Sequence, residues 1–520
     1  MAQEHREQWG SRTGFLLAAI GSAVGLGNIW RFPYIAYENG GGAFLVPYLV
    51  ALLTAGIPLL IMEYTIGHRF RGSAPASFRR LSRPTEALGW WQVAISFVIA
   101  VYYGAIVAWG LCYAWFSLRQ TWGDDPEAFL YEDFLQVAAA PGGITNYVPG
   151  VLWPLVGVWV LVLIVMVLGV RRGIEWANRI FIPLLAVLFT ILVVQALFLE
   201  GAAVGLDALF APDWSAITDG SVWVAAYGQI FFSLSIGFGI MITYASYLRR
   251  RSDLTGSAMV AGFANSSFEI LAGIGVFATL GFMAVASGIP VDEVATSGIG
   301  LAFVAFPQII SSLPFGAGLF GVLFFVSLVI AGLTSLISIV QVVVSAVQDR
   351  LGMRRVPAAL LVGGVIAAVS IALFPTDQGI YLLDAADHFI NQYGIVLAGL
   401  ASVIVVAWVV RRLPMLEAHA AKTSVVALTW WWRITLSVIT PVVLGFMMYD
   451  SLRAELAQNY EDYPTWFLLT AGWGVAGAAL VLGILISLIP WKNLPSEAAD
   501  ADGDGPGAGT AAAGETERGR

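Results

Sequence analysis

Lysine is almost missing from this chain, which carries only Lys422 and Lys492 in 520 residues. Asp and Glu total 34 against 26 Lys and Arg, for a formal net charge of −8. That balance argues against nucleic acid as a partner and against targeting to anionic lipid, both of which need concentrated basic charge. Cysteine is as scarce. The single Cys112 lies inside an apolar stretch, so no disulfide framework and no redox or zinc motif can form. The four histidines have no metal-ligand spacing, and a Walker phosphate loop is absent. These absences weigh against an ATP-driven pump and against an enzyme.

Charge of either sign is also rare, at 12% of residues against roughly a quarter in a soluble domain. Hydrophobic residues reach 58% and mean hydropathy is +0.80, values that belong to a chain living in a bilayer. Stretches of about 20 apolar residues predict about twelve all-helical spans. They fall near 14–37, 43–67, 88–118, 151–169, 174–199, 222–248, 256–287, 317–347, 357–374, 380–410, 425–449 and 464–490. Cytoplasmic loops should hold the Arg and Lys excess. Even-numbered loops do carry it, in Arg69, Arg71, Arg79, Arg80 and Arg83, then Arg171/Arg172, Arg249/Arg250/Arg251, Arg350/Arg354/Arg355 and Arg411/Arg412. Odd loops are acidic, with Asp124, Asp125, Glu127, Glu132 and Asp133, then Asp207, Asp213 and Asp219, then Asp292 and Glu293. Both termini are therefore expected in the cytoplasm of a multi-pass protein of the cell membrane.

The segment 1–13 is charged and runs directly into the first span, unlike a cleavable signal peptide. Residues 494–520 are rich in Gly, Ala, Asp and Glu without apolar periodicity, which predicts a disordered cytoplasmic tail.

Two spans are interrupted at matching places in the two halves. The first reads Gly21-Ser22-Ala23-Val24-Gly25-Leu26-Gly27-Asn28, and the second Ser233-Leu234-Ser235-Ile236-Gly237-Phe238-Gly239. Gly disfavours a helix interior by up to ~1 kcal/mol relative to Ala, and backbone groups freed in lipid must find partners or line a cavity. Paired breaks of this kind mark the binding site of an alternating-access carrier. A half-helix starting after the first break would offer N–H groups to a carboxylate, and freed carbonyls would suit a hard cation.

Further motifs accompany the breaks: Arg31-Phe32-Pro33, Glu38-Asn39-Gly40-Gly41-Gly42-Ala43-Phe44, Gly228-Gln229-Ile230-Phe231-Phe232 and Ala331-Gly332-Leu333-Thr334-Ser335. With them the chain resembles the neurotransmitter:sodium symporters, most closely their prokaryotic amino-acid transporters, over roughly residues 6 to 450. The resemblance implies inverted five-helix repeats, spans 1–5 at 14–199 and spans 6–10 at 222–410, with spans 11 and 12 at 425–490. Spans 1 and 6 would unwind at mid-membrane.

It also implies two Na⁺ ions, one held by Ala23, Asn28, Ser233 and Asn265 and one by Gly21, Val24, Ala331, Thr334 and Ser335. Substrate would meet Ser22, Ala23, Gly25, Leu26, Gly27, Ile99, Tyr103, Phe232, Ser233, Ser235, Phe238, Ser335 and Ile339, with Tyr103 bonding its carboxylate. Amine-transporting relatives carry aspartate where this chain has Gly25, so an α-amino acid is favoured. Phe232, Phe238, Ile99 and Ile339 favour a neutral, apolar one.

Thin gates are expected from Arg31 with Asp387 on the outer side and from Arg6 with Asp349 on the inner side. Glu269 stands where chloride-dependent relatives have a serine, which implies transport without chloride. The expected activity is Na⁺-coupled symport of a neutral amino acid into the cell. Symport of another zwitterion or an osmolyte is the alternative within the fold; an ion channel is the alternative of another class, disfavoured because the two breaks differ in register. Oligomeric state is left open, a homodimer included.

Overall fold

The computed structural model describes residues 7–294 and 297–491. The predicted tail 494–520, the start of the N-terminal segment and Arg6 lie outside the described residues. Within them the protein is all-helical, without a strand, and its long apolar helices make a polytopic membrane fold.

Nine helices are individually long and apolar enough to cross a bilayer, and the pair Arg12–Ala23 and Leu26–Glu38, bent by 55°, makes a tenth span among the described residues. The continuous run Pro149–Leu197 contains two of the expected spans. It turns at Gly169, whose φ of +85° favours glycine, and winds on through the wide turn Val170–Glu175. The sixth span is split into Gly220–Ser233 and Ile240–Ala245. Each expected span thus has its helix. The eleventh runs further than expected, through Thr440–Ala457, because its last turns carry polar residues such as Arg453 and Glu455 that hydropathy discounts.

Burial sorts the spans into layers. The third, Arg83–Ser117, and the eighth, Ala317–Leu351, pack along each other and are each 78% buried over their most apolar window. The twelfth, Thr465–Leu488, is 28% buried. Its outward face of Leu480, Val481, Leu482, Ile484 and Leu485 is exposed, as lipid contact requires. Several helices include π-type wide turns, among them Leu52–Gly56 and Ile390–Ile395.

Where water cannot drive association, small residues let helices approach closely. The short helix Ala202–Phe210 lies on the seventh span, Leu254–Ser287, through Gly205 and Gly281. A Cβ on Gly205 would fall 1.7 Å from the Phe277 carbonyl oxygen, and backbone has no rotamer with which to yield. Gly205→Ala is expected to lower stability by about 1–3 kcal/mol or more, as overpacking does. Thermal unfolding of the detergent-solubilised protein measures it, and an unchanged midpoint would contradict this packing.

Candidate substrate and ion site

The first half-helix is capped by Ser11, whose side chain accepts from the Gly14 N–H. It ends at Ala23, and Val24 and Gly25 are extended before the chain re-enters helix at Leu26. The Asn28 side chain closes this gap by accepting from the Gly25 N–H at 2.9 Å. In the sixth span, Ser235, Gly237 and Gly239 take positive φ of 54°, 91° and 83°. A serine is strained in that region. Its hydroxyl offsets the strain by donating to the Ser22 carbonyl of the first break at 2.8 Å. Two neighbouring helices complete the arrangement: Gly237 N–H donates to Glu63 Oε1 at 2.9 Å, and Ser96 Oγ donates to the Phe238 carbonyl at 2.8 Å. The two breaks are one hydrogen-bonded structure.

Around them opens a cavity of about 710 Å³. All thirteen residues expected at the substrate line it: Ser22, Ala23, Gly25, Leu26, Gly27, Ile99, Tyr103, Phe232, Ser233, Ser235, Phe238, Ser335 and Ile339. The Leu26 N–H points at the Tyr103 hydroxyl at 3.5 Å. A Cβ on Gly25 would stand 3.1 Å from Ser335 Oγ and 3.3 Å from the Tyr103 hydroxyl, so glycine keeps those two groups accessible. Ser22 Oγ is buried without a hydrogen-bond partner among the described residues, an arrangement that suits a polar ligand atom.

Residues expected at the two ions gather in two oxygen-rich clusters. In the first, Asn28 Nδ2 donates to Asn265 Oδ1 at 2.8 Å, and Asn265 Nδ2 donates to Ser233 Oγ at 3.0 Å. Ala23 ends the half-helix beside them. In the second, Thr334 Oγ1 donates to the Ala331 carbonyl at 3.0 Å, and Ser335 Oγ reaches the Gly21 and Ser22 carbonyls at 3.5 and 3.4 Å. Val24, the first extended residue, completes that group in sequence. Carbonyl, amide and hydroxyl oxygens are the donors a hard monovalent cation prefers.

Glu269 is fully buried behind the first cluster. Its carboxylate accepts from the Tyr48 hydroxyl and, at 2.6 Å, from Gln229 Nε2. Tyr48 also reaches Ser266 at 2.9 Å.

The outer pair stands apart in this arrangement. Arg31 and Asp387 line the same cavity but make no direct ion pair among the described residues. The Arg31 guanidinium instead covers the Phe232 ring at 4.6 Å from its centroid. Asp387 is already engaged by the Tyr102 hydroxyl at 2.6 Å and by Asn391 Nδ2 at 2.8 Å. Sequence reasoning had no place for Tyr102 or Asn391 at this gate; the doublet Tyr102-Tyr103 was the only signal.

At the other ends of these spans, buried Trp9 plugs the gap between the first and the sixth, against Phe15, Tyr244 and Tyr247. Trp9 Nε1 donates to the Tyr244 carbonyl at 2.9 Å and the Trp9 N–H to the Tyr247 carbonyl at 3.1 Å. Asp349 accepts from the Ser73 N–H at 2.6 Å, while its expected partner Arg6 lies outside the described residues.

Paired helix breaks beside a cavity in a polytopic helical fold are the architecture of a membrane transporter. The profile of the Sodium:neurotransmitter symporter family matches residues 6–128 and 123–494, and the chain belongs to that family of sodium-dependent transporters. It is 41% identical over 493 residues to an uncharacterized sodium-dependent transporter of Methanocaldococcus jannaschii, covering 95% of this chain and 99% of that one. A sodium-dependent dopamine transporter of Bos taurus is 29% identical, covering 96% of this chain and 76% of that one. Among solved structures, MhsT in complex with L-phenylalanine superposes with a TM-score of 0.72 at 33% identity, covering 86% of this chain and all of that one (100%).

Asn28 both closes the first break and belongs to the Asn265–Ser233 cluster. Asn28→Ala is expected to raise the Na⁺ concentration needed for half-maximal substrate binding. Scintillation proximity binding across a Na⁺ titration measures it; a wild-type midpoint would separate Asn28 from the ion.

Proposed function

We propose that the protein couples inward movement of a neutral, apolar α-amino acid to two Na⁺ ions, without chloride. The supporting observation is the cavity lining, in which Ser22 Oγ, the Tyr103 hydroxyl and the backbone at Gly25 occur together with Ile99, Phe232, Phe238 and Ile339. The polar groups match an amino acid's carboxylate and ammonium, and the rings and branched side chains match an apolar side chain. Charged lining residues other than Arg31 are Asp384, Asp387 and His388 of the tenth span and Glu461 between the eleventh and twelfth.

Each expected ligand takes its role from this reading. Ala23, Asn28, Ser233 and Asn265 hold the ion that touches the substrate carboxylate, and Gly21, Val24, Ala331, Thr334 and Ser335 hold the other. Arg31 and Asp387 close over the loaded site, once Arg31 leaves Phe232, and Arg6 with Asp349 act at the inner end. Two ions crossing a tenfold gradient at ~1.4 kcal/mol each and 100 mV at ~2.3 kcal/mol per charge supply roughly 7 kcal/mol. A zwitterion adds no net charge to oppose them. The termini lie in the cytoplasm, as the arginines of the even loops require.

Uptake of labelled amino acids into proteoliposomes under an inward Na⁺ gradient tests the reading. Saturable, Na⁺-dependent uptake competed by apolar amino acids is expected; current without saturation would indicate a channel. One methylene is worth only about 1–3 kcal/mol in such a pocket. Ile339→Ala should therefore reorder the competitors toward bulkier side chains, and an unchanged order would remove Ile339 from the site.

Chloride independence rests on Glu269. Two cations near mid-membrane repel strongly at low dielectric, and a fixed carboxylate behind Ser233 and Asn265 offsets part of that cost. Wild-type uptake should be indifferent to replacing Cl⁻ by gluconate, whereas Glu269→Ser should become Cl⁻-stimulated. Strict Cl⁻ dependence of the wild type would refute the assignment.

A further inference from the structure

A second cavity, of about 430 Å³, lies far along the chain from the transport site, at the junction of the fourth and fifth spans. Gly10, Leu168, Arg171, Arg172, Glu175, Trp176 and Arg179 line it. Three arginines surround one carboxylate, and that carboxylate is committed. Glu175 is buried and accepts from the Gly10 N–H at 2.6 Å, from Ser11 Oγ at 3.2 Å and from Arg179 at 2.7 Å. Arg171 and Arg172 are exposed and make neither ion pair nor hydrogen bond among the described residues. A fourth arginine approaches the same rim, Arg249, which donates to the Gly10 carbonyl at 3.0 Å.

Two apolar side chains complete the cavity. Leu168 and Trp176 are 51% and 61% exposed, at the ends of helices whose outer faces contact lipid. A tryptophan at this level marks the boundary between hydrocarbon and headgroups. Unpaired guanidinium groups beside it match a phosphodiester, whose oxygens accept two parallel N–H bonds from one arginine. We infer that Arg171, Arg172 and Trp176 bind the headgroup of an anionic phospholipid. The net charge of the whole chain is an average, whereas this cavity sets three arginines against the one carboxylate among its lining residues.

The neighbour of this site gives it a consequence. Glu175 ties down Gly10 and Ser11, and the residue before them is Trp9, the plug of the inner end. Arg171 and Arg172 are potential rivals for the Glu175 charge, which Gly10, Ser11 and Arg179 hold here. A phosphate on the two arginines removes that competition. The lipid should therefore steady the plugged arrangement.

The test uses the full-length protein in nanodiscs of phosphatidylcholine, with and without phosphatidylglycerol as a minority component, alongside R171Q/R172Q and R171K/R172K. Native mass spectrometry should find phosphatidylglycerol retained by the wild type and by the lysine variant. Retention by the glutamine variant should fall roughly thirtyfold, as expected when two juxtamembrane charges are lost. Hydrogen exchange of residues 9–14 in the wild type should slow when phosphatidylglycerol is present. Inorganic phosphate added to phosphatidylcholine discs should not reproduce that slowing. Equal retention by the wild type and R171Q/R172Q, or exchange in the wild type that ignores lipid composition, would overturn the inference. Slowing by inorganic phosphate alone would overturn it too, by making free phosphate the ligand.

Discussion

A backbone polar group inside a bilayer must be bonded within the protein, and this single requirement organises the centre of the molecule. Breaking two helices frees several such groups at once. Ser235 answers for the Ser22 carbonyl, Glu63 for the Gly237 N–H, Ser96 for the Phe238 carbonyl and Asn28 for the Gly25 N–H. These four side chains come from the sixth, second, third and first spans, so the break is what binds those spans into one unit. The cavity is the space such a break leaves beside it.

The same logic separates the sites by chemistry. Oxygens at Asn28, Ser233 and Gly21 lie in or next to the broken spans, and Asn265, Ala331, Thr334 and Ser335 meet them from unbroken helices, so the proposed cations would need no further helix to open. Glu269 is the costly element. A carboxylate with no exposure is tolerable only where several donors surround it and positive charge comes close. Tyr48 and Gln229 supply the donors.

Much of this was legible because the breaks are written in residue types that helices avoid. Gly21, Gly25, Gly237 and Gly239 announce themselves in an apolar run, and Arg-rich loops alternate with acidic ones. Side-chain direction was not legible. Tyr102 and Tyr103 are neighbours on one helix and point about 100° apart, so the sequence could not say which faces Asp387; the structure gives Tyr102 to that carboxylate and Tyr103 to Leu26. The stacking of Arg31 on Phe232 likewise depends on rotamers. Net charge is silent on placement, since an average over the chain does not reveal that Arg171, Arg172 and Arg179 line one cavity with Glu175.

The wide turns have a mechanical meaning. A π-type turn holds one residue more than an α-turn, and such turns occur in the second span at Leu52–Gly56 and in the tenth at Ile390–Ile395. The first is pressed against Ile230 and Leu234 of the sixth span through Gly56, where a Cβ would meet them at 2.6 and 2.7 Å. Tightening one such turn would advance the rest of its helix by about 1.5 Å and rotate it by about 100° while keeping every other ladder bond. A helix carrying one has slack to take up, and can shift its register beside the cavity without exposing an unbonded peptide to lipid.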